Sequence, residues 1–542
     1  MMITKRSIKN FLGEIPFTAE AYWLLRQRGR PLSKGFSLRK VENNLPEWIE
    51  QANFARQFSS DGSSILIFVT LRYWIEHGVL LSMALSGLGH NVTFAYLPYT
   101  NWRKPMNRFD QRRQDIYARS VLDRMRPLVR SISFYQESGP KDNNLSYPYG
   151  LTDVLAKAVE EISLRDVQYT LQMETVDIKS SLYRLRLKRN IQAARSLHQW
   201  LNTSGSKKPD VILTPNGSIL EMGTVYAVGR TLDIPVVTYE FGEQRGRIWL
   251  ARNAEVMRQE TGELWKAYQG ISLTDDQRKD IRDLFSSRQQ GKLWENFSRR
   301  WQGQPSQGSE NVRMVLKLNQ RPIVLLAANV IGDSLTLGRQ VFSQSMTEWL
   351  EKSIYFFSNR SDVQLVVRIH PGERFTKGPS VAEVVYKVCP ELPEHIHLVE
   401  AQDPINTYDI FEIANLGLVY TTTTGMEMAM SGVPVIISGS THYRGKGFTL
   451  DPESWDSFYQ TIENVLANPQ LFILSKEQIE LAWEYAFRFF FNYPLPFPWH
   501  LVRFWDELPE NPLTYVLSPE GQEKYGEAFR CLAGEPRHWQ KE

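Results

Sequence analysis

Four consecutive threonines, Thr421, Thr422, Thr423 and Thr424, stand where an apolar run gives way to helical spacing, and Gly425 and Glu427 follow them. The first turn of a helix leaves backbone N–H groups unpaired and carries a partial positive charge. Hydroxyls added at that point make a seat for phosphate. Gly425 would let an anion approach the backbone, and Glu427 would reach the ribose hydroxyls of the same ligand. A threonine cap that binds nothing is the alternative, but four hydroxyl residues exceed what one cap uses.

A second segment, Val366-Val367-Arg368-Ile369-His370-Pro371-Gly372-Glu373, carries a histidine to the end of an apolar strand. Pro371 disfavours helical geometry at His370, so the strand stops with the imidazole at its rim. There it can donate to a phosphate oxygen or protonate a leaving group; capping a loop is its plainer role. Arg368 is grouped with it as a donor contact. Glu240, at the end of 236–239, is the strand-end carboxylate placed to act as a base, with a salt-bridged loop acid as the other reading. Asn216 and Gly217 form a polar turn that could contact a sugar. Arg245 is either a partner of Glu240 or an anion contact. Asn329 and Asp333 follow the strand 323–327 and should face the same cleft. Tyr443 and Lys446, in Tyr443-Arg444-Gly445-Lys446-Gly447, would cover a diphosphate or a base, or form an ordinary basic loop.

These residues need rims of sheets to hold them, and the pattern supplies two blocks. Apolar runs at 65–70, 92–97, 131–135, 211–214 and 236–239 alternate with helical spacing, and so do runs at 323–327, 364–369, 396–399, 416–420 and 433–438. Short buried runs separated by helices read as parallel sheets, whose ligands bind beyond the carboxyl ends of the strands. The expected division is a basic N-terminal extension (1–55), a Rossmann-like domain with a helical linker (56–312), a second Rossmann-like domain (313–475) and an aromatic helical tail (476–542). The N-terminal extension either packs on the body or seeks an anionic lipid surface. Residues 302–309, without apolar anchors, read as a linker or exposed loop.

Composition narrows the class. The 542 residues are 42% apolar and 23% charged, as in ordinary globular proteins. Lys plus Arg number 63 against 60 Asp plus Glu, a net +3 too balanced for a protein defined by nucleic-acid binding. Two cysteines, Cys389 and Cys531, exclude a disulfide scaffold and a cysteine-pair zinc site. With no apolar leader run at the start, the expected location is cytoplasmic. No Gly-x-x-x-x-Gly-Lys-Ser/Thr or His-Glu-x-x-His appears, and no Asp-x-Asp sits at a strand end, so no metal is expected.

The helix Gly425-Met426-Glu427-Met428-Ala429-Met430-Ser431-Gly432-Val433-Pro434-Val435 resembles the Gly-x-Glu-Ala-x-x-x-Gly-x-Pro-Val helix of GT-B glycosyltransferases. More narrowly, His370-Pro371, the threonine run and the Tyr443 segment are similar to bacterial capsule polysaccharide enzymes, the Kdo transferases among them. The resemblance implies an α/β GT-B fold, two Rossmann-like domains facing a cleft. It also implies that His370, Thr422 and Thr423 hold the donor phosphate and that an acid of the first domain, here Glu240, is the base. The second glutamate of many retaining enzymes, eight positions before the helix glutamate, is Val419 here, and inverting transfer is the expectation.

The function expected is metal-independent transfer from a nucleotide-sugar to a surface polysaccharide or glycolipid, at the inner face of the membrane or free of it. The nucleotide-sugar is a substrate and no cofactor is expected. A polyol-phosphate transferase, a nucleotide-sugar epimerase and a non-catalytic sugar-binding subunit are the alternatives.

Overall fold

The computed structural model describes residues 5–27, 35–135, 150–203, 208–290 and 304–539. Arg28, Arg30 and Lys34 of the basic start, and Gln302 and Gly303 of the expected linker, lie outside the described residues.

Among the described residues twelve strands form two sheets. They are β1 (Ser64–Thr70), β2 (Asn91–Leu97), β3 (Arg130–Ser133), β4 (Val211–Pro215), β5 (Val236–Glu240), β6 (Arg247–Arg252), β7 (Ile323–Ala327), β8 (Gln364–Arg368), β9 (Ile396–Val399), β10 (Leu416–Val419), β11 (Val435–Ile437) and β12 (Leu495–Pro496). The first sheet has the order β12-β6-β5-β4-β1-β2-β3 and the second β11-β10-β7-β8-β9. β1 to β5 pair in parallel, as do all strands of the second sheet, while β6 is antiparallel to β5 and to β12.

Both sheets start in the middle, run outward one way, then return to the other side of the first strand. The reversals fall between β1 and β4 and between β7 and β10. At such a reversal the flanking connections diverge and leave a crevice at the strand ends.

The second sheet shows why its sequence reads as near-continuous apolar runs. Ile323, Leu325 and Ala327 of β7 enter one core, and Val324 and Leu326 enter the core on the opposite face. Side chains alternate between faces and both faces are covered, so every position is apolar.

The expected boundaries shift in two places. Leu264, Trp265, Tyr268, Ile281, Leu284 and Phe285 pack into the core of the second sheet. The helices Gly262–Tyr268 and Asp275–Gln289 therefore pack on the second sheet, not on the first. The stretch expected as a tail, described to residue 539, divides between the two cores. The helix Lys476–Phe487 packs Ala482, Tyr485 and Ala486 into the second core. The chain then crosses back through a π-helical turn, Arg488–Asn492, and β12 pairs Leu495 with Ile248. Phe497, Trp499, Phe504 and Phe529 complete the first core. Arg247 fastens the crossover by donating to the carbonyls of Phe491 and Pro494, both at 3.0 Å.

At the other end, Val41, Leu45, Trp48 and Ala52 form the buried stripe of helix Arg39–Arg56, which lies on helix Arg72–Gly87. Among the described residues no helix is long and apolar enough to cross a membrane.

Candidate functional site

The threonine turn is built at the crevice of the second sheet. Asn329 follows β7 and Thr421 follows β10. The Asn329 Oδ1 accepts from the Thr421 backbone N–H at 3.2 Å and from its hydroxyl at 3.3 Å, tying the two strand ends together. The Thr422 hydroxyl donates to Thr424 Oγ1 at 3.0 Å and accepts from the Thr424 N–H at 3.3 Å. Thr422, Thr423 and Thr424 then border a cavity of about 450 Å3 together with Asn329, Asp333 and His370. Burial pushes the Asp333 carboxyl above the ordinary range, against bonds from Ser334 and Leu335.

Two expectations for this segment are corrected. Gly425 does not open the backbone to a ligand. It lies in the buried helix Thr424–Met430, and a Cβ there would stand 2.5 Å from the Tyr443 hydroxyl and 2.8 Å from Val419 Cγ2. Tyr443 is fully buried and donates to the Thr422 carbonyl, so it braces the turn from behind instead of covering a diphosphate. Lys446 lies 6.0 Å from the Tyr485 ring centroid and does not border the threonine cavity. Gly425→Ala is accordingly expected to cost about 1–3 kcal/mol by overpacking, read as a lowered urea midpoint with unchanged slope. A variant as stable as the parent would show that the packing yields there.

His370 caps the 3₁₀ turn Pro371–Phe375, and its Nδ1 accepts from the Gly372 N–H at 3.0 Å. That bond occupies the Nδ1 lone pair, so in the neutral ring the proton sits on Nε2. The imidazole borders the threonine cavity and a smaller one of about 90 Å3 beside it. Arg368 borders the smaller cavity, but its guanidinium already donates to Glu400 O (2.6 Å), Ile405 O (3.3 Å) and Thr407 Oγ1 (3.2 Å). Burial lowers its pKa to about 10. Its visible work is to hold the loop that walls the cavity. Glu427 is buried on the same wall; Arg288 pairs with its Oε1, and the Tyr408 hydroxyl donates to Oε2 at 3.0 Å. The glutamate expected to meet a ribose is thus also the anchor of a buried ion pair.

Across the cleft, Glu240 ends β5 and Asn216 follows β4. Asn216 Nδ2 donates to Glu240 Oε2 at 3.1 Å, and the Phe241 N–H donates to Oε1 at 3.1 Å. Desolvation raises the Glu240 pKa, with those two bonds opposing. Asn216 (φ 58°) and Gly217 (φ 80°) form the left-handed turn that presents the amide, so Gly217 is there for the backbone. Glu240 and Asn216 border a third cavity, of about 270 Å3, and Tyr169 borders both this cavity and the threonine cavity. Arg245 is exposed and borders none of the three.

The site also contains residues the sequence did not single out. Tyr169 sits where the two cavities meet, and burial with the charges of Asp333 and Glu240 pushes its hydroxyl up to about 12. Glu174 fixes the domains to each other by accepting from the N–H groups of Met346 and Thr347, both at 2.8 Å, at the start of helix Met346–Ser358. Their local sequence is that of any helix end, and only the fold brings them to the cleft. Among the described residues no group of three or more His, Cys, Asp or Glu is placed to hold a metal.

No family model matches the chain, and no curated protein matches it. Solved structures similar to it include KpsC β-Kdo 2,4 transferase of Thermosulfurimonas dismutans, 15% identical over 51% of this chain and 78% of that one, TM-score 0.31. The UDP-GlcNAc 2-epimerase of Methanocaldococcus jannaschii, solved with UDP-GlcNAc and UDP, is 12% identical over 77% and 97%, TM-score 0.25. The glycosyltransferase SsfS6 of Streptomyces sp. SF2575, solved with thymidine diphosphate, is 12% identical over 84% and 98%, TM-score 0.21. At these scores the fold rests on the sheets themselves: two open parallel α/β domains across a cleft, with the chain end returning to the first, are of the GT-B type.

Proposed function

We propose that the chain is a glycosyltransferase that moves a sugar from a nucleotide-sugar to a glycan or glycolipid acceptor. One observation carries this reading: a hydroxyl-lined cavity bordered by His370 on the second sheet meets, at Tyr169, a cavity bordered by the carboxylate of Glu240 on the first. A leaving diphosphate or monophosphate needs preorganised donors, and an attacking hydroxyl needs a base.

In this reading Thr422, Thr423 and Thr424 hold the donor phosphate and the protonated Nε2 of His370 donates to its oxygen. The acceptor oxygen bonds to the anomeric carbon while the bond from that carbon to the phosphate oxygen breaks. The electron pair leaves with the phosphate, and the acceptor proton passes to Glu240. Attack from the side opposite the leaving group inverts the anomeric centre. Phe11, Phe17 and Leu25, 69%, 78% and 83% exposed near the N-terminus, suit work at the inner face of a membrane that carries the acceptor.

UDP, CMP and GDP offered singly in a thermal-unfolding assay test the donor site. One of them is expected to stabilise the chain by about 2.7 kcal/mol at a hundredfold excess over its Kd, and Thr423→Val to lose most of that gain. No shift with any of the three would remove the basis for a nucleotide-sugar donor.

A further inference from the structure

The cavity beside Glu240 has a charge pattern that proton abstraction alone does not require. Three arginines border it, each from a different element: Arg165 from helix Asp153–Leu171, Arg258 from the 3₁₀ turn Val256–Arg258, and Arg339 from the connection after β7. Among the described residues that border it, the carboxylates are Glu240 and Glu255. Glu255 accepts from Arg165 Nη1 at 2.6 Å through Oε1 and from Arg258 Nε at 3.3 Å through Oε2. Arg339 is 6% exposed, and its guanidinium donates to the backbone carbonyls of Arg258 (3.1 Å) and Met257. Carbonyls satisfy its N–H groups but do not neutralise its charge. Burial and the nearby Arg258 and Arg165 lower its pKa to about 10, against the opposing charges of Glu255 and Glu260. Gathering three guanidinium groups around these two carboxylates leaves the cavity net positive even with Glu240 ionised, and such a site draws an anion.

Its position says which anion. The donor phosphates, in the proposed reading, lie on the threonine side of Tyr169. The arginines lie on the Glu240 side, where the acceptor must present its hydroxyl. We infer that this cavity is an acceptor subsite for a sugar bearing an oxyanion, a carboxylate or a phosphate, gripped by Arg165, Arg258 and Arg339 so that a neighbouring hydroxyl faces Glu240. The inference rests on the glycosyltransferase reading for the word acceptor, but the anion preference of the cavity stands on the arginines alone.

The test uses the full chain with three probes of similar size: glucuronic acid for a carboxylate, glucose 6-phosphate for a phosphate, and glucose as the neutral reference. Binding is measured by ligand-observed NMR with the nucleotide that stabilises the chain present and absent. At least one acid is expected to bind ten times more tightly than glucose, and which acid wins tells carboxylate from phosphate. The double variant Arg165→Gln/Arg258→Gln is expected to lose that preference and keep the nucleotide shift, and Arg258→Lys to keep both. Equal binding of all three probes by the parent chain overturns the inference, a result that needs no variant to fold. So does a double variant that still prefers the acid, or one that loses the nucleotide shift, which would make the arginines the phosphate site. A preserved acid preference with no nucleotide shift would instead strike the donor reading and leave the anion subsite standing.

Discussion

His370→Asn is expected to lower turnover about 10²- to 10³-fold at saturating donor, the usual loss when one preorganised donor to a developing negative charge is removed. Asparagine is chosen because its side-chain oxygen can take over the cap. It accepts the Gly372 N–H that Nδ1 now accepts, so the 3₁₀ turn after β8 should persist. What disappears is the imidazole Nε2–H at the border of the threonine cavity. The unfolding midpoint and the nucleotide-induced shift should stay close to those of the parent, because in the proposed reading the threonines supply the ground-state contacts. A loss of turnover with unchanged binding places the missing interaction in the transition state. Turnover within threefold of the parent would reduce His370 to a loop cap.

How much of this was legible in the sequence depends on which physical signal was read. Strands buried on both faces announce themselves as short apolar runs, and β7 and β9 occupy the expected residues. His370 and the threonines were legible for a related reason: polar groups placed directly after such a run sit at a sheet rim. Asn329 and Asp333 follow from the same rule and do border the threonine cavity.

Packing partners were not legible. Periodicity tells that Leu264, Trp265 and Ile281 have a buried side but not which sheet they meet, and they meet the second. The aromatic residues after 476 read as one tail, yet Tyr485 and Phe489 enter one core and Phe497 and Trp499 the other. Gly425 and Tyr443 looked like ligand contacts because glycine and tyrosine serve both ligands and close packing. Here the Tyr443 hydroxyl fills the space that the glycine leaves. Glu427 was visible as an acid on the right turn, but its pairing with Arg288, 139 positions away, is a property of the fold.

Glu240→Gln carries the other large effect. Amide for carboxylate preserves size and keeps an oxygen for Asn216 Nδ2, but its NH2 cannot accept from the Phe241 N–H and it cannot take the acceptor's proton. Turnover is expected to fall about 10²- to 10⁴-fold, the range of a positioned general base, with the nucleotide shift retained. The pH profile sharpens the test. Burial raises the Glu240 pKa, so the carboxyl holds its proton at pH values where an ordinary glutamate has lost it. The base form appears only as pH rises through that raised value, and the acid limb of kcat/KM should lie above the usual carboxylate range. Residual activity of the glutamine variant should lack that limb. Stability runs with the opposite sign. Between the unfolded and the raised folded pKa the native chain binds the extra proton, so folding weakens as pH climbs through this window. The glutamine variant carries no such charge to bury, so this loss of stability with rising pH is expected to be absent from it. A variant that is slower because it is less stable at alkaline pH, or a parent whose acid limb sits at the ordinary glutamate position, would move the base elsewhere in the cleft.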